Sequence, residues 1–215
     1  MKRLTLVAGL SILASVGAAQ AEVSYFTGWE DNSSPAILGY YGNMYGYGFE
    51  TSDPYAGEFS LGMMEDPVDG TPQGYVAFIT GLEAGDTVTV GGYMKGMDDG
   101  SGTNGRGRFW HHYADATDIN SYAGGGNGGS DTAYIGEGGE WGYGETTFTF
   151  TGAEGAGMVI EARLYSYNTN NFLQVDNMTV TVSRDSANVE LAGVPAPGAL
   201  ALLGLGGLVA RRRRA

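Results

Sequence analysis

The chain contains no cysteine in 215 residues, so disulfides, thiol nucleophiles and thiolate metal sites are all excluded. Histidine is nearly absent too: His111 and His112 are the only two. As neighbours on a strand they point to opposite faces, which disfavours joint ligation of zinc and leaves no third nitrogen. No Gly-x-Ser-x-Gly elbow and no Gly-Lys-Ser/Thr phosphate loop occurs, which removes the commonest hydrolase and nucleotide signatures. Positive charge is scarce as well. Between residues 22 and 193 the basic side chains are Lys95, Arg106, Arg108, Arg163 and Arg184, and they stand against all 24 acidic residues of the chain. Such a surface repels phosphate backbones and anionic lipid, so nucleic-acid binding is strongly disfavoured.

What is present begins with the two ends. Lys2 and Arg3 precede an apolar segment, Leu4 to Ala14, and a small-residue exit, Ala19-Gln20-Ala21, which reads as a signal peptide over 1–21. At the other end Val194-Pro195-Ala196-Pro197 leads into an apolar run from Gly198 to Ala210 and then Arg211 to Arg214. At a rise of ~1.5 Å per residue this run spans roughly 20 Å, short of the ~30 Å hydrocarbon core. The arginines hold their end in the cytoplasm and leave the preceding chain outside. Residues 194–215 resemble the tripartite sorting signal of the PEP-CTERM family, with Ala196 where that family usually has glutamate. The resemblance implies an exosortase-type processing enzyme as partner and transient membrane insertion by the C-terminal segment. It also implies an exported protein at the cell surface or in the extracellular space. An ordinary C-terminal anchor that is never removed is the alternative.

The body, residues 22–193, has the length of one domain. Its apolar residues recur with the period of strands. Alternation is read at Tyr75-Val76-Ala77-Phe78-Ile79-Thr80, at Thr87 to Val90, at Thr147 to Thr151, at Met158 to Leu164 and at Met178 to Val182. No segment of the body carries a helical stripe. Gly81 to Asp86 reads as a short hairpin loop between two strands, and Gly152 to Gly157 links two others. The expectation is an all-β fold, an antiparallel β-sandwich, flanked by the signal peptide and a short C-terminal hydrophobic helix. Two glycine-rich stretches, 98–107 and 124–139, read as solvated loops at its ends. Asp98 and Asp99 suggest a calcium loop, but the twelfth position is then Phe109 or Trp110 and not the glutamate an EF-hand requires.

The order of segments resembles the galactose-binding-like jelly roll common among carbohydrate-binding modules. The match runs through Gly28-Trp29-Glu30-Asp31, then Pro54 to Leu61, then Ile79 to Val90, and closes with Phe172-Leu173-Gln174-Val175-Asp176-Asn177-Met178-Thr179-Val180. The resemblance implies a structural calcium ion held by Asp176 and Glu30. Alternation adds a reason of its own, because Asp176 shares parity with Met178, Val180 and Val182. A carboxylate on an inward face needs a partner. The alternative is a hydrogen-bonded or bulge-displaced aspartate near the rim.

Chemically varied side chains concentrate in Arg106-Gly107-Arg108-Phe109-Trp110-His111-His112-Tyr113. Alternation puts Phe109, His111 and Tyr113 on one face and Arg108, Trp110 and His112 on the other; if the first set packs inward, the second offers a cation, an indole and an imidazole to solvent. Aromatic rings stack on the apolar face of a pyranose while arginine and histidine reach its hydroxyls. The candidate ligand-binding residues are therefore Arg108, Trp110, His112, Trp141 and Tyr143, with Tyr122 and the group Tyr40, Tyr41, Tyr45 and Tyr47 as extensions. Core packing is the competing reading for each tryptophan. No catalytic residue is assigned. Three functions remain on the table: a surface-sorted non-catalytic module binding glycan or exopolysaccharide, a structural matrix or biofilm protein without a specific ligand, and a polysaccharide hydrolase using paired carboxylates.

Overall fold

The computed structural model describes residues 21–65, 71–97, 105–125, 134–153, 155–165 and 172–195. The expected signal peptide, the C-terminal apolar segment with its arginines, and most of the two glycine-rich stretches lie outside these residues.

Twelve strands are described: β1 (Val23–Thr27), β2 (Gly39–Tyr41), β3 (Met44–Glu50), β4 (Ser60–Glu65), β5 (Gln73–Thr80), β6 (Thr87–Met97), β7 (Arg106–Asp115), β8 (Gly124–Gly125), β9 (Gly142–Thr149), β10 (Ala156–Tyr165), β11 (Phe172–Val182) and β12 (Asn188–Leu191). They form two antiparallel sheets. The first has the order β3-β4-β11-β6-β9 with β1 on β11, and the second has the order β12-β5-β10-β7-β8 with β2 on β5. From β4 to β7, and again from β9 to β11, consecutive strands alternate between the sheets, so the all-β class and the jelly-roll sandwich stand as expected.

This alternation corrects one expectation. Gly81 to Asp86 is not a hairpin loop, since it carries the chain from β5 in the second sheet to β6 in the first. The segment from Thr149 to Ala156 makes the reverse crossing, from β9 to β10. The crossing at 81–86 is held by Arg184, whose guanidinium donates to Asp86 at 2.6 Å and pairs with Glu83 at 2.8 Å.

The inner faces carry the core. Val88, Val90 and Met94 of β6 face Met158, Ile160, Ala162 and Leu164 of β10 across the sandwich, together with Leu173, Val175, Met178, Val180 and Val182 of β11. Each fully buried aliphatic side chain contributes about 1.5–3 kcal/mol, which lets the sandwich close without disulfides. Trp29 is also fully buried, and its indole N–H donates to the Ala36 carbonyl at 2.8 Å. Gly193, at φ 69°, lies against that ring, where a Cβ would fall 2.6 Å from it. Trp29 itself sits at φ 55°, a conformation that turns the next residue, Glu30, away from the core.

Among the described residues, two polar side chains are buried on the core side without hydrogen-bond partners. Neither oxygen of Glu65 and neither ring nitrogen of His111 has a hydrogen bond. Burial pushes the Glu65 carboxyl up to about 7 and the His111 imidazole down to about 4. The signs oppose. Folded Glu65 holds its proton longer than the unfolded chain, so its contribution is complete below the ordinary 4.5 and is lost as pH rises through about 7. Folded His111 stays neutral while the unfolded chain gains a proton below 6.5, so stability is lost as pH falls from there toward about 4. Between 4.5 and 6.5 the two slopes work against each other. Glu65→Gln is therefore expected to raise the unfolding free energy by about 1–3 kcal/mol at pH 8 and to change it little at pH 5. His111→Phe should flatten the acid limb alone. Urea unfolding across pH 4 to 8 checks both, and equal gains for Glu65→Gln at both pH values would contradict this account.

Candidate functional site

The outer face of the second sheet presents cross-strand pairs in register. His112 of β7 sits opposite Val159 of β10, Trp110 opposite Glu161, and Arg108 opposite Arg163. On the other side of β10, Tyr75 and Gln73 of β5 pair with Glu161 and Arg163. A bulge in that pairing, between Ile160 and Glu161, brings Tyr75 beside the carboxylate.

At the centre lies Glu161, fully buried although it belongs to the outer face. Its Oε1 is hydrogen-bonded by His112 Nδ1, and its Oε2 accepts from Arg163 Nε at 2.5 Å. The Tyr75 ring packs 5.1 Å from the His112 ring. Burial, reinforced by the charge of Glu161, pushes the Tyr75 phenol up to about 12, so it remains a hydrogen-bond donor at any physiological pH. Arg163 spans two partners, its guanidinium also lying 4.2 Å from the centroid of the Trp110 ring. Further along the face, Arg108 lies 3.9 Å from the Tyr134 ring and 4.6 Å from that of Tyr165, with Arg106 3.7 Å from Tyr134. Cations and rings thus alternate along β7 and β10, each holding the next in place.

Around Glu161 the surface sinks into a cleft of about 520 Å³ lined by Tyr41, Gln73, Tyr75, His112, Asn120, Ser121, Tyr122 and Glu161. Its rims carry Tyr41 and Tyr122, exposed by 67% and 73%. The Tyr122 rim is fixed by its own turns. Asp115 Oδ1 accepts from Thr117 N at 2.8 Å, Asp118 Oδ1 from Asn120 N at 3.0 Å, and Ser121 Oγ from Asp115 N at 2.7 Å. On the opposite rim Gly39 is required, since a Cβ there would stand 2.7 Å from Asn120 Oδ1 and 2.8 Å from the Tyr75 ring. The concavity therefore needs little reordering to receive a ligand.

Of the candidate residues read from the sequence, the structure brings Arg108, Trp110 and His112 to this face and sends Phe109, His111 and Tyr113 inward. Arg108 and His112 are mostly covered and Trp110 is half-buried, so they form the floor more than an open platform. Trp141 and Tyr143 lie elsewhere, on the first sheet, with Tyr143 opposite Tyr93 on the outer face. Tyr75, Glu161, Arg163 and Gln73 were missed. Their signal was available: Glu161 and Arg163 interrupt an otherwise apolar strand at alternate positions, which marks a polar face cut into a buried sheet.

The expected calcium residues also change setting. Asp176 does not share the inward face of Met178, because the ladder shifts between Asp176 and Thr179 and Asn177 adopts φ 45°. That bulge turns Asp176 to the outer face beside Tyr93. It is buried all the same, because the segment 51–58 crosses over it. Ala56 N donates to Asp176 Oδ2 at 3.0 Å and Asn177 N to Oδ1 at 2.7 Å. Glu30 accepts from Glu58 N at 3.1 Å and from Phe59 N at 3.3 Å. Burial pushes the Asp176 carboxyl up against these N–H donors, and the nearby charge of Glu30 adds to the rise. No cationic side chain pairs with either carboxylate among the described residues. Nor do three or more His, Cys, Asp or Glu converge on a common point there. Both carboxylates are instead met by backbone N–H groups.

No protein-family model matches the sequence, and no curated protein matches it. Among solved structures the chain is similar to the CBM22-1 xylan-binding domain from Paenibacillus barcinonensis Xyn10C. The identity is 14% and the TM-score 0.49, covering 79% of this chain and 100% of that one. It is also similar to the C-terminal family 22 carbohydrate-binding module of Clostridium thermocellum Xyn10B, at 16% identity and TM-score 0.46 over 74% and 92% of the two chains. A third similarity is to TmCBM61 in complex with β-1,4-galactotriose, at 10% identity and TM-score 0.39 over 71% and 97%. Likeness at this level assigns no ligand.

Glu161 bridges His112 and Arg163 in a buried setting, so its removal leaves Arg163 without its carboxylate. Glu161→Ala is expected to lower stability by about 3 kcal/mol, with Glu161→Gln losing less because the amide still accepts from Arg163. Equilibrium urea unfolding at pH 7 measures both, and a neutral Glu161→Ala would show that the bridge contributes nothing.

Proposed function

We propose that the chain is an exported, non-catalytic β-sandwich protein that binds a glycan in the cleft over Glu161. The supporting observation is the composition of that cleft: a polar floor of His112, Glu161, Tyr75 and Gln73, with His112 and Glu161 buried and hydrogen-bonded to each other, between exposed tyrosine rims. Rings offer faces for the apolar side of a pyranose, and the floor offers donors and acceptors to its hydroxyls. Arg108 and Trp110 extend the floor along β7. Glu161 is the sole carboxylate among the described lining residues, and both its oxygens are engaged. Glycoside cleavage by the usual route needs two carboxyl groups flanking the bond, so the cleft is better suited to holding a sugar chain than to cutting it.

A structural calcium ion at Glu30 and Asp176 belongs to the same proposal. It would relieve the buried carboxylate of Asp176 and tie the segment 51–58 to β11. The ends of the chain support export and processing of residues 194–215 by an exosortase-type enzyme, with the body delivered to the cell surface or the extracellular space. The mass of the protein recovered outside the cells tests this, and retention of both Lys2 and Arg214 would refute it.

The glycan reading is tested by affinity electrophoresis of the full chain through soluble xylan, mixed-linkage glucan and galactan, in calcium and in chelator. Retardation by at least one polymer is expected. Trp110→Ala and Tyr75→Ala should each weaken it by about 1–3 kcal/mol, and chelation should lower the unfolding temperature. Unretarded migration in every gel would leave a matrix protein without a specific ligand.

A further inference from the structure

Trp141 and Tyr143 do not join the cleft, and what surrounds them forms a surface of its own. On the outer face of the first sheet, Tyr55 stacks on Tyr93 with centroids 3.6 Å apart and planes at 15°. Trp141 meets Tyr55 edge-on at 5.8 Å, and Tyr143 meets Tyr93 at 5.2 Å. The tip of the Tyr143 ring lies across Gly91 of β6, on the space a Cβ would fill. Its hydroxyl donates to Glu145 Oε2 at 2.8 Å. Tyr143 is thereby held against the sheet and still 55% exposed, with Tyr55 beside it 41% exposed.

The segment that delivers Tyr55 is anchored at several points. Gln174 Nε2 donates to the Ser52 carbonyl at 2.7 Å, Trp141 Nε1 to the Asp53 carbonyl at 3.2 Å, and Lys95 Nζ pairs with Asp53 at 2.5 Å. The Asp176 and Glu30 carboxylates hold the backbone at Ala56 and Glu58. The rings are therefore exposed and pre-positioned, and carboxylates of Glu145 and Asp53 frame them.

We propose that this face is a second glycan-contact surface, independent of the cleft and on the opposite side of the sandwich, taking an uncharged sugar chain across Tyr143 and Tyr55. The chemistry selects that occupant. Exposed ring faces suit the C–H face of a pyranose, and Glu145 and Asp53 accept from its hydroxyls. Lys95 pairs with Asp53, so it is Glu145 and the overall acidic excess of a body with 24 acidic residues that repel a uronate or sulfated polymer. Two surfaces on opposite faces make one chain bivalent, so it would bridge two polysaccharide strands.

The test is calorimetric titration of the full chain with xylohexaose, cellohexaose and β-1,4-galactotriose, with light scattering on the corresponding soluble polymers. Two equivalents are expected for an accepted oligosaccharide, with polymer cross-linking that subsides at protein excess. Tyr143→Ala should remove one equivalent, weakening that site by about tenfold or more, and abolish cross-linking while the Trp110-dependent equivalent persists. Gly91→Ala, which lifts the Tyr143 ring without removing it, should do the same with an unchanged urea midpoint. A single equivalent that is lost in Trp110→Ala and unaffected by Tyr143→Ala overturns the second surface and leaves the cleft standing. A single equivalent lost only in Tyr143→Ala supports this surface and overturns the cleft. Binding to none of the three overturns both. A dimer in sedimentation that Tyr143→Ala converts to monomer overturns the proposal in favour of a second copy of this chain as occupant.

Discussion

Everything in this molecule depends on two sheets closing on each other through apolar contact. With no disulfide available, the inner faces must supply the stability, and they do so with a continuous set of buried aliphatic and aromatic side chains from both sheets. Most polar chemistry is consequently displaced to the two outer faces. Glu65 and His111 are exceptions, and burial shifts both of them toward their neutral forms. A core that tolerates a carboxyl and an imidazole without partners does so because each can discard its charge more cheaply than it can be solvated.

The outer faces solve the same problem, holding rings in place, in different ways. On the second sheet, arginines do it: Arg106, Arg108 and Arg163 interleave with Tyr134, Tyr165 and Trp110. On the first sheet the rings hold one another and are framed by carboxylates. Most of the few cations in the body thus gather on one face, and the contrast gives the two faces different electrostatic characters. A ligand that tolerates one need not be the best ligand for the other.

Much of this was legible in the sequence because strands declare themselves by alternation. The separation of Phe109, His111 and Tyr113 from Arg108, Trp110 and His112 needed no more than parity, although only the structure shows that the first set is the inward one, and the strands at Tyr75, Thr87, Met158 and Met178 stand where the pattern put them. Parity failed at Asp176 for an identifiable reason. A bulge consumes one residue and inverts every assignment on one side of it, and Asn177, which tolerates positive φ, was the only local sign. Pairing between distant strands was not legible. Nothing local to Trp141 or Tyr143 says that β9 joins β6 while β7 joins β10 in the other sheet, so a platform drawn from composition merged two faces into one. Glu161 escaped for the opposite reason: its charge suggested solvent, whereas its burial follows from partners 49 residues away in His112 and two residues away in Arg163.

The bulge at Asn177 links these observations. Without it, Asp176 and Met178 would share a face, and either a carboxylate would enter the core or three core residues, Met178, Val180 and Val182, would leave it. With it, β11 keeps Leu173 and Val175 inward on one side and Met178 inward on the other, and the displaced carboxylate becomes an acceptor for the backbone at Ala56. That contact draws the segment 51–58 down onto the sheet and sets Tyr55 on Tyr93. A backbone irregularity demanded by core packing on one face thus becomes the anchor for an exposed aromatic surface on the other.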